Sequence, residues 1–539
     1  MDTLPALPDG IPPGPGAGVW EWSREEIMAA RAHTLAQLLA EVPGLVPLRG
    51  GDYGMPRTVA FPGAAGGGMR IFRDGVEHLP LSGSVPDLAR IGLGGIDRVR
   101  VERSGGGLRV ELRSHRPADP RPFSVVEAGT GDLDTNLLRG AFLHPSALGG
   151  NAGVALDRVD SQGRDFQQPG SSSSIWLRYT FVGGARFGVA AELSRATQDR
   201  DTLFLPSRVT RTDWSVRVRA RLAEGVVADA FWARADLEAD TSDVTDPAEA
   251  VFPFRSEARA QLGARLAAGR GPLFGRFAVR SFDGEGLPSS SIEVEAGARL
   301  PKWGGVAGTW RRDAWDPRAV TTVGARAWTR DYRGLSAFGS WEDFERGVPF
   351  LPPPADDEGG DGTDGGAPDG GSAGDGSAPG PSFTTGAVGR LGLRFAWRGL
   401  DAWAAGLTTE ADTLHPLGLP MDRGGASLAG GDRIGWETSF RIPLLLMDGL
   451  HLVGAAQVWE PRAEPWPYFP RRTWNGALSF HDTFLPSENL ELWVDVGMEG
   501  RDPMIVPSPV SGTEGDGETP PPVTVPGYRS WYARLQVRV

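Results

Sequence analysis

Two short stretches carry the spacing of catalytic motifs. Gly370-Gly371-Ser372-Ala373-Gly374 has the spacing of a nucleophile elbow, in which a serine sits on a tight strand-to-helix turn. Gly360-Asp361-Gly362-Thr363-Asp364-Gly365 has that of a dinucleotide fingerprint, in which glycines let a pyrophosphate approach a helix N-terminus. Neither follows a strand pattern nor opens a helix pattern. Both lie in one low-complexity stretch of Gly, Asp and Pro, so neither chemistry has the scaffold it needs. The same stretch carries Asp356, Asp357, Glu358, Asp361, Asp364, Asp369 and Asp375 with no basic residue between them. Carboxylates among glycines suit Ca2+. Like charges at this density also repel one another and solvate a surface loop, which is the plainer reading. The seven histidines (His33, His78, His115, His144, His415, His451, His481) show no pair at metal-ligand spacing. Cysteine is absent, which excludes disulfides, thiolate metal sites and cysteine nucleophiles. No catalytic group, cofactor or metal site is expected, and the chain does not read as an enzyme.

The positive charge is almost all arginine, Lys302 being the single lysine. Arg217, Arg219 and Arg221 occupy alternate positions, and Trp214, Val216, Val218, Ala220 and Leu222 occupy the positions between. A period of two places these sets on opposite faces of a strand, one needing water and the other oil. The arginines suit steering of anions, or pairing with wall carboxylates such as Glu293, Glu295, Glu491 and Asp495, or with a domain in the lumen. Pairing is the preferred reading. Ile175, Leu177, Tyr179 and Phe181 oppose Arg178 and Thr180 in the same way, as Trp531, Ala533, Leu535, Val537 and Val539 oppose Tyr532, Arg534, Gln536 and Arg538.

The pattern recurs from about residue 121 to the end without a helical signal. About twenty segments are read, centred near 126, 139, 155, 178, 190, 217, 231, 262, 277, 295, 308, 325, 339, 392, 404, 438, 455, 477, 494 and 535, with twenty-two within error. A soluble sandwich rarely runs so long. The apolar face also mixes small and large residues, as at Ala258, Ala260, Leu262, Ala264 and Leu266, which a lipid-facing wall tolerates better than a packed core. Trp176, Trp214, Trp303, Trp397, Trp403 and Trp531 sit near segment ends, where interfacial girdles are expected. Short turns (223–225, 269–271) read as periplasmic. Long stretches (197–211, 237–255, 345–383, 408–432, 501–527) read as outside loops, with 345–383 disordered.

Composition agrees. Of 539 residues, 76 are Gly and 45 are Pro, too many helix breakers for a bundle. Apolar residues make up 40%, enough for a core, yet no run is long enough for a membrane-spanning helix. The net charge of -13 leaves no basic excess for phosphates, so a nucleic-acid partner is excluded. No basic, apolar leader opens the chain, so the numbering of an exported protein would begin at a mature or truncated start.

The N-terminal hundred residues differ. Residues 1–18 are Pro/Gly-rich and read as a flexible arm. Ser23 and Glu26 have capping-box spacing. A second helix is expected over 34–41, with Leu35, Leu38 and Leu39 on one face. Short strands are expected over 58–61, 69–72, 97–103 and 108–112. Within this region, Thr34 to Val46, with Pro43 and Gly44, is similar to the opening of a TonB-dependent receptor plug domain. Met69 to Val76, ending Asp74-Gly75-Val76, resembles a strand of that plug. Asp87 to Arg103, with Ile96, Arg98, Val99 and Val101, resembles its most distinctive stretch. There are departures. Ala60-Phe61-Pro62-Gly63 stands where the family usually has an Ile-Arg-Gly type motif, and Ser104-Gly105-Gly106-Gly107 replaces a longer Gly-rich insertion. The barrel is short against the usual twenty-two strands, and the last residue is Val539 instead of Phe. Asp2-Thr3-Leu4 resembles the start of a TonB box, but Pro5 follows and removes a strand donor.

The resemblance implies an all-β transmembrane antiparallel barrel of about 20 strands (18–22), its lumen occluded by a small N-terminal α+β plug. Residues 19–116 would be the plug and 117–539 the barrel. It implies residence in a bacterial outer membrane, lipid around the wall, and uptake of an unknown small solute bound at plug apices and outer loops. A TonB-type energy-coupling protein would pull on residues 1–18. Arg98, Arg100 and Glu102 of the plug and Arg217, Arg219 and Arg221 of the wall are expected to form the polar interface between them. The alternative is a plugged outer-membrane barrel with a structural or assembly role and no energised transport.

Overall fold

A computed structural model describes the chain apart from residues 1–3, 9, 31, 52, 65–67, 82, 105, 117–119, 164–168, 201–206, 241–256, 349–380, 419–426, 462–465, 485–489, 508–520 and 539. The N-terminal domain opens with β1 (Val19–Ser23), α1 (Arg24–Ala29) and α2 (Leu35–Leu39). Then come β2 (Val46–Arg49), β3 (Arg57–Ala60), β4 (Met69–Arg73), β5 (Val76–Glu77), β6 (Ile96–Ser104) and β7 (Gly107–Ser114). Both helices start on a full capping box: Ser23 with Glu26, and Thr34 with Gln37. Each box satisfies two amide donors that a five- or six-residue helix otherwise leaves open. A mixed sheet in the order β1-β6-β7-β4-β5 carries Val99, Val101, Val110 and Ile71 into a core closed by Leu35, Leu38 and Leu39. β2 and β3 form a separate hairpin.

Around this domain closes a barrel of twenty antiparallel strands. They are β8 (Phe123–Gly131), β9 (Thr135–Ala147), β10 (Gly150–Ser161), β11 (Gly170–Gly183), β12 (Phe187–Arg200), β13 (Arg208–Ala223) and β14 (Val226–Asp240). β15 (Glu257–Arg270), β16 (Leu273–Asp283), β17 (Ser290–Leu300), β18 (Gly304–Ala314), β19 (Ala319–Thr329), β20 (Leu335–Val348) and β21 (Ser382–Trp397) follow. β22 (Leu400–Leu414), β23 (Leu428–Pro443), β24 (Leu450–Trp459), β25 (Arg472–Phe484), β26 (Leu490–Arg501) and β29 (Tyr528–Arg538) complete the ring. A small hairpin, β27 (Met504–Val506) and β28 (Val523–Val525), stands between the last two. Each of the twenty centres read from the alternation falls inside one of these strands. No helix among the described residues is long and apolar enough to cross a membrane.

The stripes point outward. On β13, Trp214 is 50% exposed and Val216 and Val218 are also exposed, while Arg217 and Arg219 face inward at 1%. Short turns gather at one end of the barrel and long connections at the other. Gly225 adopts φ +72 at the two-residue turn between β13 and β14, a conformation that favours glycine.

Two sequence expectations need correction. Trp176 and Trp403 do not belong to an outer girdle; both face inward and are buried. Trp176 lies under the guanidinium of Arg73, 4.5 Å from ring centroid to Cζ, and Trp403 meets Phe338 edge-on. Their phase along the strand, not nearness to its end, sets their side. The arm is the second. Asp2 and Thr3 lie outside the described residues, but Leu4 and Ile11 are buried against the lumen wall. The arm does not hang free; it runs along the short-turn rim. Its backbone carbonyls at Pro5, Gly10 and Ala17 accept from Arg219, Arg299 and Arg326 of the wall.

Candidate functional site

The lumen is filled by charge that neutralises itself. Asp74, at the turn between β4 and β5, has φ +49, a conformation short polar side chains tolerate. The turn pushes its carboxylate into the wall, 3.1 Å from Arg178, with Arg217 at 3.8 Å. Its carbonyl oxygen accepts from Arg217, Arg219 and Arg265. A Cβ on Gly75 would strike Arg265, so glycine is required where these guanidinia close on the turn. Burial opposes ionisation of Asp74, yet the guanidinia of Arg178 and Arg217 hold its carboxyl well below the ordinary range.

A second cluster lies beside it. Glu293 of β17 takes Arg70 at 3.0 Å and Arg109 at 2.8 Å from the N-terminal domain, and Arg280 at 2.7 Å from the wall. Glu77 joins Arg70 at 2.6 Å and Arg280 at 2.7 Å. Burial works against the Glu77 charge, but Arg70 and Arg280 bring its pKa down to about 2. Farther round, Glu437 of β23 is wholly buried and pairs with Arg103 at 2.5 Å and Arg390 at 2.6 Å. Arg103 also donates to the carbonyl of Pro43, and Gly44 beside it leaves no room for a Cβ against that guanidinium. Asp87 caps the turn at Leu88–Arg90, accepts from the Arg57 amide and meets Gln198 of β12. Asp74, Glu77, Glu293 and Glu437 thus each face two or more guanidinia, which offsets their desolvation.

Of the six residues expected at the polar interface, Arg217 and Arg219 are there. Arg100 and Glu102 pair with each other at 2.7 Å inside the N-terminal domain, and Arg100 also donates to the Ile11 carbonyl of the arm. Arg98 is a correction: it pairs with Glu21 at 3.1 Å on the edge of the sheet. Arg221 is another: it lies exposed at the short-turn end of β13, one strand repeat beyond the domain. Of the remaining stretch residues, Ile96, Val99 and Val101 are core, and Val76 packs on Phe231 and Ala233 of β14. Sequence reasoning missed Arg70, Glu77, Arg109 and Glu111. The available signal was their alternation with Ile71 and Val110; the partners were not visible, because lateral register is set by tertiary packing.

At the long-loop end the domain presents the β2 tip. Pro47, Leu48 and Arg49 line a cavity of about 530 Å3 with Leu417, Met504, Val506, Val525, Arg501 and Tyr528. The roof is built by loops. Ser84 donates from both N and Oγ to the Leu417 carbonyl, at 3.1 and 2.6 Å, and the Tyr468 amide donates to Ile505 at 2.8 Å. A volume of this size suits a small molecule, and its walls are apolar with a few polar groups at the margin. Among the described residues no cluster of three or more potential metal ligands occurs.

Residues 16–111 match the family described as TonB-dependent Receptor Plug Domain. The N-terminal domain is a TonB-dependent receptor plug. The whole chain has the plugged-barrel fold of these receptors. The siderophore receptor PirA from Acinetobacter baumannii is similar over 97% of this chain and 92% of its own, with TM-score 0.67 and 10% identity. The FrpB iron transporter from Neisseria meningitidis is similar over 97% and 92%, with TM-score 0.65 and 10% identity. A mutant of the ferric enterobactin receptor PfeA from Pseudomonas aeruginosa is similar over 95% and 89%, with TM-score 0.63 and 12% identity. These are receptors and transporters by name, not enzymes. No curated protein matches the chain.

Proposed function

We propose that this chain is a TonB-dependent-receptor-like transporter of a bacterial outer membrane, binding a small, largely apolar solute in the cavity over the β2 tip and importing it past the plug. The observation that carries the reading is the position of that cavity. It is roofed by long loops, floored by the plug, and shares Arg49, Arg501 and Tyr528 with a larger space that runs down beside the plug. The outward stripes of Trp, Val and Leu supply the surface that lipid covers. A net charge of -13 and apolar cavity walls favour a neutral or singly charged solute over a polyanion.

The test compares cells making the wild-type chain with cells making Leu48→Arg or Val506→Arg, each incubated in fractionated growth medium read by mass spectrometry. A compound depleted only by the wild type, and retained on the purified protein, is the expected result. Equal depletion by all three refutes the cavity as the seat of the solute.

The second reading, a plugged barrel with a structural or assembly role, draws on the arm. Pro5, Gly10 and Ala17 are held along the rim by wall arginines, and a coupling partner would have to compete with those bonds. Deleting residues 1–18 separates the readings: lost depletion with retained binding supports energised uptake, and unaltered depletion supports transport without it. A chain that depletes nothing, but whose loss weakens the envelope, fits the structural role.

A further inference from the structure

The plug is not fastened evenly. From β9 to β23 the wall grips it strand after strand: Arg139 on His33, Asp157 on Gly94, Arg178 on Asp74, Arg211 on Leu79, Glu293 on Arg70, Arg346 on Gly106 and Glu437 on Arg103. On the remaining arc, β24, β25, β26, β29 and β8, Gln457 abuts Gly44 and the Phe123 ring lies 4.0 Å from the Arg24 guanidinium, but between these points the described residues of plug and wall stand apart. A cavity of about 980 Å3 fills the gap. Its lining follows β29 from Tyr528 to Arg538 and β8 from Val125 to Gly131, and on the plug it runs from Arg49 and Pro47 through Gln37 and His33 to Met28 and Glu25.

Burial tells the same story. On β13 the inward Val209, Arg211, Arg217 and Arg219 are buried and Asp213 and Ser215 half-buried, whereas on β29 inward Tyr532, Arg534 and Gln536 are only half-buried and Ser530 and Arg538 are exposed. Inward Gly129 of β8 has open space before it: a Cβ there would meet only Leu137, at 3.9 Å. The inward row across this arc is polar, with Asn475, Glu499 and Ser530 level with one another. At the short-turn end the arc does hold the plug. Arg534 donates to the Ala29 carbonyl at 2.8 Å and Gln536 to the Met28 carbonyl at 2.7 Å. Both acceptors lie at the C-terminal end of α1, where carbonyls lack helical partners.

We propose that this arc is a built-in hydrated seam that conducts small ions beside a plug that stays in place, and that the grip of Arg534 and Gln536 on the end of α1 is its gate. Spread along the roughly 36 Å of an 11-residue strand, 980 Å3 averages roughly 27 Å2 in cross-section. That passes water and small ions but no solute the size of the outer cavity. Larger cargo needs the plug to move, and among the described residues the seam is the side on which the fewest buried ion pairs oppose movement. The inference rests on the barrel spanning a bilayer, not on energised uptake.

The experiment uses the full chain in phosphatidylcholine–phosphatidylglycerol vesicles, with flotation to establish insertion, then planar-bilayer conductance in KCl. Arg534→Ala combined with Gln536→Ala removes two hydrogen bonds of ordinary net strength and is expected to raise mean conductance roughly tenfold over wild type. Adding Gly129→Trp, which places an indole in the seam, is expected to return it to the wild-type level. Adding Val126→Trp on the outward face of the same strand leaves the raised conductance unchanged; Val126 is 73% exposed. Inserted protein whose conductance is unaltered by the double substitution, or is raised but insensitive to Gly129→Trp, overturns the seam. A chain that does not float with vesicles overturns the membrane reading instead.

Discussion

Replacing Asp74 with alanine tests whether the plug is held by charge or by shape. The wild-type carboxylate faces Arg178 at 3.1 Å and Arg217 at 3.8 Å, all three buried. Alanine strips that carboxylate from two guanidinia that stay out of water. Removing one partner of a buried pair costs about 3–5 kcal/mol. Glu192 lowers the figure, since it keeps contact with Arg217 at 2.6 Å and Arg178 at 3.5 Å. A loss of about 3 kcal/mol is the resulting expectation. Alanine at φ +49 adds backbone strain of about 1 kcal/mol. Asp74→Asn separates these contributions: asparagine tolerates the left-handed conformation and keeps an acceptor for the Ser114 amide, now at 3.2 Å from Asp74 Oδ1, but loses the charge. Asp74→Gly relieves the backbone and loses both. The assay is hydrogen exchange on β4 and β5 of the full chain in detergent, across a urea series. The expected order of protection is wild type, then Asn, then Gly and Ala. If all three variants lie within about 0.5 kcal/mol of wild type, the scale of an ordinary surface change, the charge cluster does not hold the plug. The carboxyl pKa is depressed in the folded state. Its contribution is therefore complete above the ordinary aspartate value and disappears as pH falls toward the depressed one, so the wild type and Asp74→Asn converge in strong acid.

Three further outcomes are expected. Val216→Arg, at the middle of the outward stripe of β13, costs about 2–4 kcal/mol on folding into vesicles; folding as efficient as wild type would place that stripe away from lipid. Gly95→Ala forces a Cβ to 2.8 Å from the Trp176 ring at φ +69 and lowers plug stability by about 1–3 kcal/mol; Trp176→Leu in the same chain recovers part of that, and no recovery would mean the ring is not the obstacle. His78 is buried beside Arg211, and desolvation first, then that guanidinium, brings its pKa down to about 3 from the usual 6.5. The unfolded chain takes up this proton first, so stability is intact above about pH 6.5 and is lost progressively toward pH 3; His78→Gln shows a shallower acid dependence in the same exchange assay, and identical slopes count against the assignment.

The barrel was legible because its signal is one-dimensional. A strand in a wall between oil and charge must alternate, and alternation survives in Trp214 to Leu222 without knowledge of any neighbour. For the same reason twenty centres were readable while β27 and β28, three residues each, were not. The two buried indoles show where the signal ends. Trp176 shares its face with Ser174, and its neighbours Ile175 and Leu177 are the outward ones; phase placed it inward, and a rule about strand ends placed it outward. The plug core was legible through Ile96, Val99 and Val101. The arm was not, because its anchor is wall arginine on backbone carbonyl, and a carbonyl is the same at every residue. The outer cavity was not legible either. Its walls come from residues 47–50, 417, 468, 499, 501, 504, 506, 525, 528 and 530, which only the closed barrel brings together.

That anonymous anchoring has a mechanical consequence. A pull applied to the start of the chain meets the carbonyls of Pro5, Gly10, Ile11 and Ala17, held by Arg219, Arg299, Arg100 and Arg326. These bonds lie one after another along the rim, so they break in sequence, and no single step must overcome their sum. Next in line is β1, an edge strand zipped to β6 from Val19↔Glu102 to Ser23↔Arg98. Its first tie is the Arg103 amide to the Gly18 carbonyl at 2.8 Å. Arg103 is also the residue whose guanidinium holds Pro43 and Glu437, and Pro43 and Gly44 line the seam. At the rim the force first meets Arg219, which also donates to the Asp74 carbonyl; once those ties part, it passes to the loosely held side of the plug through β1 and Arg103. Arg103→Ala should uncouple the two: it removes the wall pair, leaves the backbone tie at Gly18, and exposes the seam to exchange around residues 42–45 while β4 and β5 stay protected. Equal loss of protection in both regions would show instead that the plug moves as one rigid body.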